Sequence, residues 1–137
     1  MRNIIIVAFV GVALMFSSCG KYEEGPALSL RTKKARIAGI WKYDKILDNG
    51  VEQTLDAGDL LEEFEVTKDG KYQRRAANVI IEKGSWNFGD KKETIEITPE
   101  GSPLKIVFTI LRLTNKEFWC SFTFGNDVDE FHYVKVD

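Results

Sequence analysis

Histidine occurs once in these 137 residues, cysteine and methionine twice each, and proline three times. With His132 alone and no nucleophile motif beside it, acid–base and nucleophilic catalysis have no constellation to rest on, so no enzymatic activity is expected. His132 falls on the outward parity of its strand and reads as a structural or exposed histidine. Zinc-ligand spacing, a phosphate-cradling glycine loop and a nucleic-acid module are all missing, and neither metal nor cofactor is expected. The stretch Asn126-Asp127-Val128-Asp129-Glu130 has the spaced acids of a calcium loop but neither the sixth-position Gly nor the twelfth-position Glu, so a hairpin turn accounts for it better. Basic side chains do not exceed acidic ones: 19 against 21, net charge −2, pI near 5.5. That balance offers nothing to displace phosphate counterions and excludes a general nucleic-acid binder. No apolar run reaches the roughly 20 residues of a spanning helix, and internal repeats and low-complexity tracts are absent.

What the chain does have is 44% hydrophobic and 12% aromatic content, enough for one globular domain with additions. The additions come first. Met1-Arg2 supplies a positive start, Ile4–Phe16 is a short apolar run, and Phe16-Ser17-Ser18-Cys19 follows. This pattern resembles the lipobox of bacterial lipoproteins, with Phe16 where Leu is usual. The resemblance implies a signal peptide over residues 1–18, acylation of Cys19, and a membrane as the partner of that anchor; the other reading is an ordinary secretory signal. More than one acyl chain, at about 0.8 kcal/mol per buried methylene, gives a stable anchor. Gly20 is not the Asp associated with inner-membrane retention, so the expected address is the cell envelope, as an outer-membrane lipoprotein. Lys21-Tyr22-Glu23-Glu24 loosely resembles a signal for export to the cell surface, or is a solvated tether. With Cys19 acylated, no disulfide framework is possible, and Cys120 reads as a small buried hydrophobe.

Residues 19–36 are expected to be a tether carrying a short helix, capped by Ser29 and stopped by Gly39. Arg31, Lys33, Lys34 and Arg36 make that helix basic, facing solvent or anionic head groups. Residues 37–137 are expected to be all β. Val, Ile, Thr and aromatic runs with period-2 alternation predict strands over Ile40–Leu47, Leu60–Thr67, Lys71–Ala76, Val79–Phe88, Glu93–Thr98, Leu104–Thr114, Glu117–Phe124 and Glu130–Val136. Eight strands in up-and-down antiparallel order can close into a barrel that holds its own side chains or one small ligand. Gly39-Ile40-Trp41 at the opening of the first strand, Gly84-Ser85-Trp86-Asn87-Phe88, and the segment from Phe108 to Phe118 resemble the lipocalin-like domains of bacterial lipoproteins. That resemblance implies a cup with one shut end. Tight connections at Lys68–Gly70, Gly89–Lys92 and Asn115–Lys116 mark that end, and looser ones at Asp48–Asp59, Pro99–Pro103 and Gly125–Asp129 mark the mouth. Asn49-Gly50 is equally able to make a local hairpin. Trp41, Trp86 and Trp119 should lie near the shut end. Lipocalins pack an Arg across the first Trp; here Arg112 or Lys135 has to serve.

Register predicts the lining. The Asn115-Lys116 turn pairs Leu113 with Phe118, Leu111 with Cys120, Thr109 with Phe122 and Val107 with Phe124, leaving Arg112, Trp119, Ser121 and Thr123 outside. The Lys68–Gly70 turn pairs Val66 with Tyr72 and Phe64 with Arg74, and the Gly89–Lys92 turn pairs Trp86 with Ile95. The candidate cavity residues are Trp41, Tyr43, Phe64, Tyr72, Arg74, Trp86, Phe122, Phe124 and Tyr133. Lys45, Glu62, Arg74 and Glu82 share the inward parity near the mouth, where charges must be paired or solvated. Two functions fit. One is a barrel binding a small hydrophobic or amphiphilic molecule, with Arg74 facing an anionic head group. The other is a side-chain-filled barrel that meets a protein or glycan through its loops or outer face, where Arg112 stacks on Trp119.

Overall fold

A computed structural model describes residues 32–136. Cys19, the signal peptide, the Lys21–Glu24 stretch and the Ser29 cap lie outside the described residues. Helix α1 (Lys33–Ile37) leads into strand β1 (Gly39–Asp48) and then the short β2 (Val51–Gln53). Helix α2 (Ala57–Leu61) precedes β3 (Glu62–Val66), β4 (Lys71–Ala76), β5 (Val79–Phe88), β6 (Thr94–Pro99), β7 (Ile106–Leu113), β8 (Glu117–Phe124) and β9 (Asp127–Val136). Every neighbouring pair is antiparallel. β1 meets β3 at its start and β9 along its length, from Ile40↔Val136 to Asp48↔Asp129, so the sheet closes on itself. The result is a closed eight-stranded up-and-down barrel of lipocalin-like architecture, with β2 added beside the far half of β1. Closure through the β1–β3 and β1–β9 ladders gives the first strand a partner on both sides at the shut end.

The shut pole holds the tightest packing. Ile37, Trp41, Leu113 and Phe118 are at most 1% exposed. The indole N–H of Trp41 donates to the Ile37 carbonyl at 2.8 Å, and that of Trp86 to the Thr67 carbonyl at 2.9 Å, which removes the cost of burying an unpaired donor. Helix α1 is part of this plug. Thr32 caps it by accepting from the Ala35 amide at 3.1 Å. Lys33 Nζ donates to the Lys92 carbonyl at 3.1 Å, at the β5–β6 connection. Arg36 is buried at 6% exposure, so this residue does not belong to a solvated basic face.

Three bulges set the details of which side chains face inward. The Leu113↔Phe118 and Arg112↔Trp119 pairs form as expected, but Leu111 is extruded and the next pairs are Ile110↔Cys120 and Thr109↔Ser121. Ile110, Phe108 and Ile106 therefore take the inward side in place of Leu111, Thr109 and Val107, because a one-residue slip exchanges the faces. Asp44 is extruded from β1, so Lys45 pairs with His132 on the outside and Ile46 with Phe131 on the inside. Lys45 then sits 3.6 Å from Glu52 instead of facing the interior. The third bulge, at Ile81, follows the Arg74↔Glu82 pair. Val66↔Tyr72 and Phe64↔Arg74 match expectation. Trp86 pairs with Ile97, not Ile95, and Phe88 takes Ile95; a two-residue slip leaves the faces unchanged.

At the mouth, Asn49 and Gly50 both have positive φ, as a two-residue turn of this hand requires, and β2 folds back on β1. Leu60 and Leu61 belong to α2 rather than to a strand, because Asp56 and Asp59 form a capping box that starts a helix there. The β8–β9 connection is tight and not loose: Phe124 pairs with Asp127 across Gly125-Asn126. The Asn49 side chain ties these two mouth turns together, accepting from the Val128 amide at 2.9 Å and donating to Asp127 at 3.2 Å.

Candidate ligand-binding cavity

Above the plug the barrel is hollow. A cavity of about 250 Å³ is lined by side chains from every barrel strand: Tyr43, Phe64, Tyr72 and Arg74, Glu82, Ile95 and Ile97, Ile106 and Phe108, Phe118 and Cys120, Phe131 and Tyr133. Alternation along each strand delivers these residues, since positions two apart share a face. The wall is largely aromatic. Tyr43 stacks on Tyr133 at 4.8 Å, Phe64 lies 6.0 Å from Tyr133, and Phe118 stacks beneath Tyr133 at 5.7 Å. Trp41 meets Phe118 edge-on at 5.8 Å below them.

Of the residues expected to line the cavity, Tyr43, Phe64, Tyr72, Arg74 and Tyr133 do so. Trp41 and Trp86 lie in the packed core at the shut pole and do not reach the cavity. Phe122 touches Phe108 at 5.6 Å but is not part of the wall. Phe124 is 77% exposed. The β7–β8 ladder ends at Thr109↔Ser121, so Phe124 stands on a hairpin that runs past that ladder and pairs with β9. Ile106 and Phe108 were hidden by the Leu111 bulge. Cys120 and Phe131 follow directly from inward parity.

The polar end is a small charged network. Arg74 presents Nε and Nη2 to one oxygen of Glu62, at 2.7 and 2.6 Å, while Nη1 lies 3.5 Å from Glu82 Oε2. Burial opposes the Arg74 cation, and the hydrogen bond and charge of Glu62 more than offset it, holding its pKa above the ordinary value. The Tyr72 hydroxyl donates to Glu82 Oε1 at 2.9 Å. Burial first, and then this bond to Glu82, push the Tyr72 phenol up. Burial likewise raises Tyr43, raises Tyr133 strongly, and keeps the Cys120 thiol protonated far above its usual range.

On the outer wall, His132 lies parallel to Trp119 at 4.0 Å, with its Nε2 2.5 Å from Glu130, and the Arg112 guanidinium sits 5.1 Å from the Trp119 ring. His132 is thus covered and faces away from the cavity. Among the described residues, no group of three or more His, Cys, Asp or Glu side chains is placed to hold a metal ion. No protein-family model matches the chain, and no curated protein matches it either.

Proposed function

We propose that this chain is a lipid-anchored protein of the bacterial cell envelope whose barrel binds a small hydrophobic or amphiphilic molecule without transforming it. The observation that carries this reading is the cavity: apolar and aromatic on most of its wall, polar at one end, and contributed to by all barrel strands. Binding sites for small molecules have that composition, at volumes of roughly 300–1,000 Å³. The volume here is a little below that range and favours a compact ligand. The lipobox-like Phe16–Cys19 stretch supports the anchor. α1 packs at the shut pole, so the segment that carries the proposed anchor joins the barrel at that pole.

Native mass spectrometry of the delipidated Cys19→Ser chain, titrated with a mixed lipid and fatty-acid extract, tests the cavity. A retained adduct is expected, and its absence counts against binding. Metabolic labelling with palmitate tests the anchor, which Cys19→Ser should abolish. A second reading, an interaction module for a protein or glycan, is favoured by the exposed apolar side chains of the mouth turns, among them Leu60, Leu61, Val79, Leu104 and Phe124.

A further inference from the structure

We infer that the cavity selects a ligand with a protonated amine, received by Glu82; this rests on the binding function proposed above and names the class of its ligand. Two charged side chains face the cavity, Arg74 from β4 and Glu82 from β5, and they are cross-strand partners. Their charges are not matched one to one. The guanidinium directs two of its nitrogens, at 2.7 and 2.6 Å, to Glu62, whose side chain is 15% exposed. Both contacts converge on Glu62 Oε1 and are short, charge-assisted hydrogen bonds, so they commit the guanidinium to Glu62. Only the third nitrogen faces Glu82, at the long distance of 3.5 Å.

Glu82 is held in place without being neutralised. Its Oε1 accepts from the Tyr72 hydroxyl at 2.9 Å, a bond that orients the carboxylate but brings no charge. Among the described residues, its Oε2 has only the long Arg74 contact. One guanidinium between two carboxylates leaves a surplus of negative charge at the polar end of an otherwise apolar chamber. A ligand carboxylate or phosphate placed there has to approach both Glu82 and Glu62 and break a two-point ion pair to reach Arg74. An ammonium group has only to meet Oε2, and it completes the charge balance. Ile95, Ile97 and Phe108 remain for an apolar tail. The ligand class is therefore a compact alkyl or arylalkyl amine.

The test compares octylamine, octanol and octanoate, which share a tail and differ in head-group charge, by calorimetric titration of the delipidated Cys19→Ser chain at pH 7. Octylamine is expected to bind about tenfold or more tightly than octanol, with octanoate weakest. Glu82→Gln should bring the affinity for octylamine down to that for octanol, so that the ratio between the two probes falls from about tenfold to about one. Glu62→Gln should also reduce it, because Arg74 is then free to turn to Glu82. Circular dichroism confirms that each variant is folded. Tightest binding of octanoate, or an amine preference that survives Glu82→Gln, overturns the assignment while leaving the cavity function standing. Failure of all three probes to bind overturns the cavity function itself, and this inference with it.

Discussion

The ammonium of Lys135 lies 4.7 Å above the indole of Trp41 and at the same time donates to the carbonyls of Arg36 and Ala38, at 2.7 and 3.0 Å. One side chain from the last strand thus covers the first tryptophan and fastens the end of α1 to the barrel. Gly39 makes room for it: a Cβ there would come within 3.1 Å of the Lys135 stem, and its φ of +143° is one that other residues rarely adopt. Where lipocalins carry an Arg, this barrel uses Lys135, and Arg112 serves Trp119 instead. Charge-assisted hydrogen bonds contribute about 1.5–3 kcal/mol and a cation over an aromatic ring about 0.5–2 kcal/mol, not additively. Lys135→Met should lower unfolding stability by about 2–3 kcal/mol, and Lys135→Arg by much less. Urea unfolding followed by tryptophan fluorescence reads both; an unchanged midpoint for Lys135→Met would remove this contact from the account of closure.

Gly84 occupies a position where no side chain fits. A Cβ would lie 2.2 Å from the Thr98 carbonyl oxygen and 2.9 Å from both the Pro99 Cα and the Tyr72 ring. The β5–β6 ladder and the Tyr72 ring close on this residue from two sides, so Gly84→Ala must push β6 outward or displace Tyr72 from the cavity wall. Overpacking of this kind costs about 1–3 kcal/mol and occasionally more; about 3 kcal/mol is expected, because the nearest atoms are backbone. A urea midpoint equal to that of the parent chain would contradict it.

The elements legible in the sequence are those fixed by short turns and clean alternation. The Lys68–Gly70 turn sets Val66↔Tyr72 and Phe64↔Arg74, and that alone brings Tyr72 and Arg74 to the cavity. The bulges were not legible, for a physical reason. Leu111 sits beside Ile110, and Ile81 beside Ile80, so an apolar residue stands on both sides of each slip and the pattern cannot say which one is extruded. At Asp44-Lys45 two polar residues do the same. Phe124 has correct inward parity, but alternation carries no information on where the barrel ends and a free hairpin begins. Glu82 was visible on the inward face; that Arg74 is committed to Glu62 rather than to Glu82 depends on side-chain geometry that no pattern encodes.

Cys120 lines the cavity and is 3% exposed. Burial pushes its thiol far up, and the charge of Glu130 adds to the effect. Since the thiolate is the reactive form, solvent access through the mouth should not make it reactive. In the Cys19→Ser chain at pH 8, iodoacetamide should modify native Cys120 about a hundredfold more slowly than the urea-unfolded chain, as measured by intact mass. Comparable rates would mean that the thiolate forms readily in the folded barrel.

The three tyrosines of the cavity make stability depend on alkaline pH. Burial raises Tyr133 strongly, raises Tyr43, and raises Tyr72, where the hydrogen bond to Glu82 adds to it. In the unfolded chain each phenol releases its proton near pH 10. Above that pH the folded state retains protons that the unfolded state has lost, so the slope of unfolding free energy with pH is negative. The contribution is fully present below about pH 10 and is lost as pH rises toward the folded values. A phenol that stays protonated in the folded chain removes up to about 1.4 kcal/mol per pH unit in that window, so unfolding free energy should fall progressively as pH rises above 10. Tyr133→Phe keeps the ring stacked on Tyr43 and Phe118 while removing the most strongly raised phenol from the balance, and should flatten the dependence. Urea midpoints from pH 8 to 11 measure both slopes, and absorbance at 295 nm reports phenolate directly. Phenolate appearing with an ordinary midpoint while the barrel is still folded would show that these hydroxyls are not held in a dry interior.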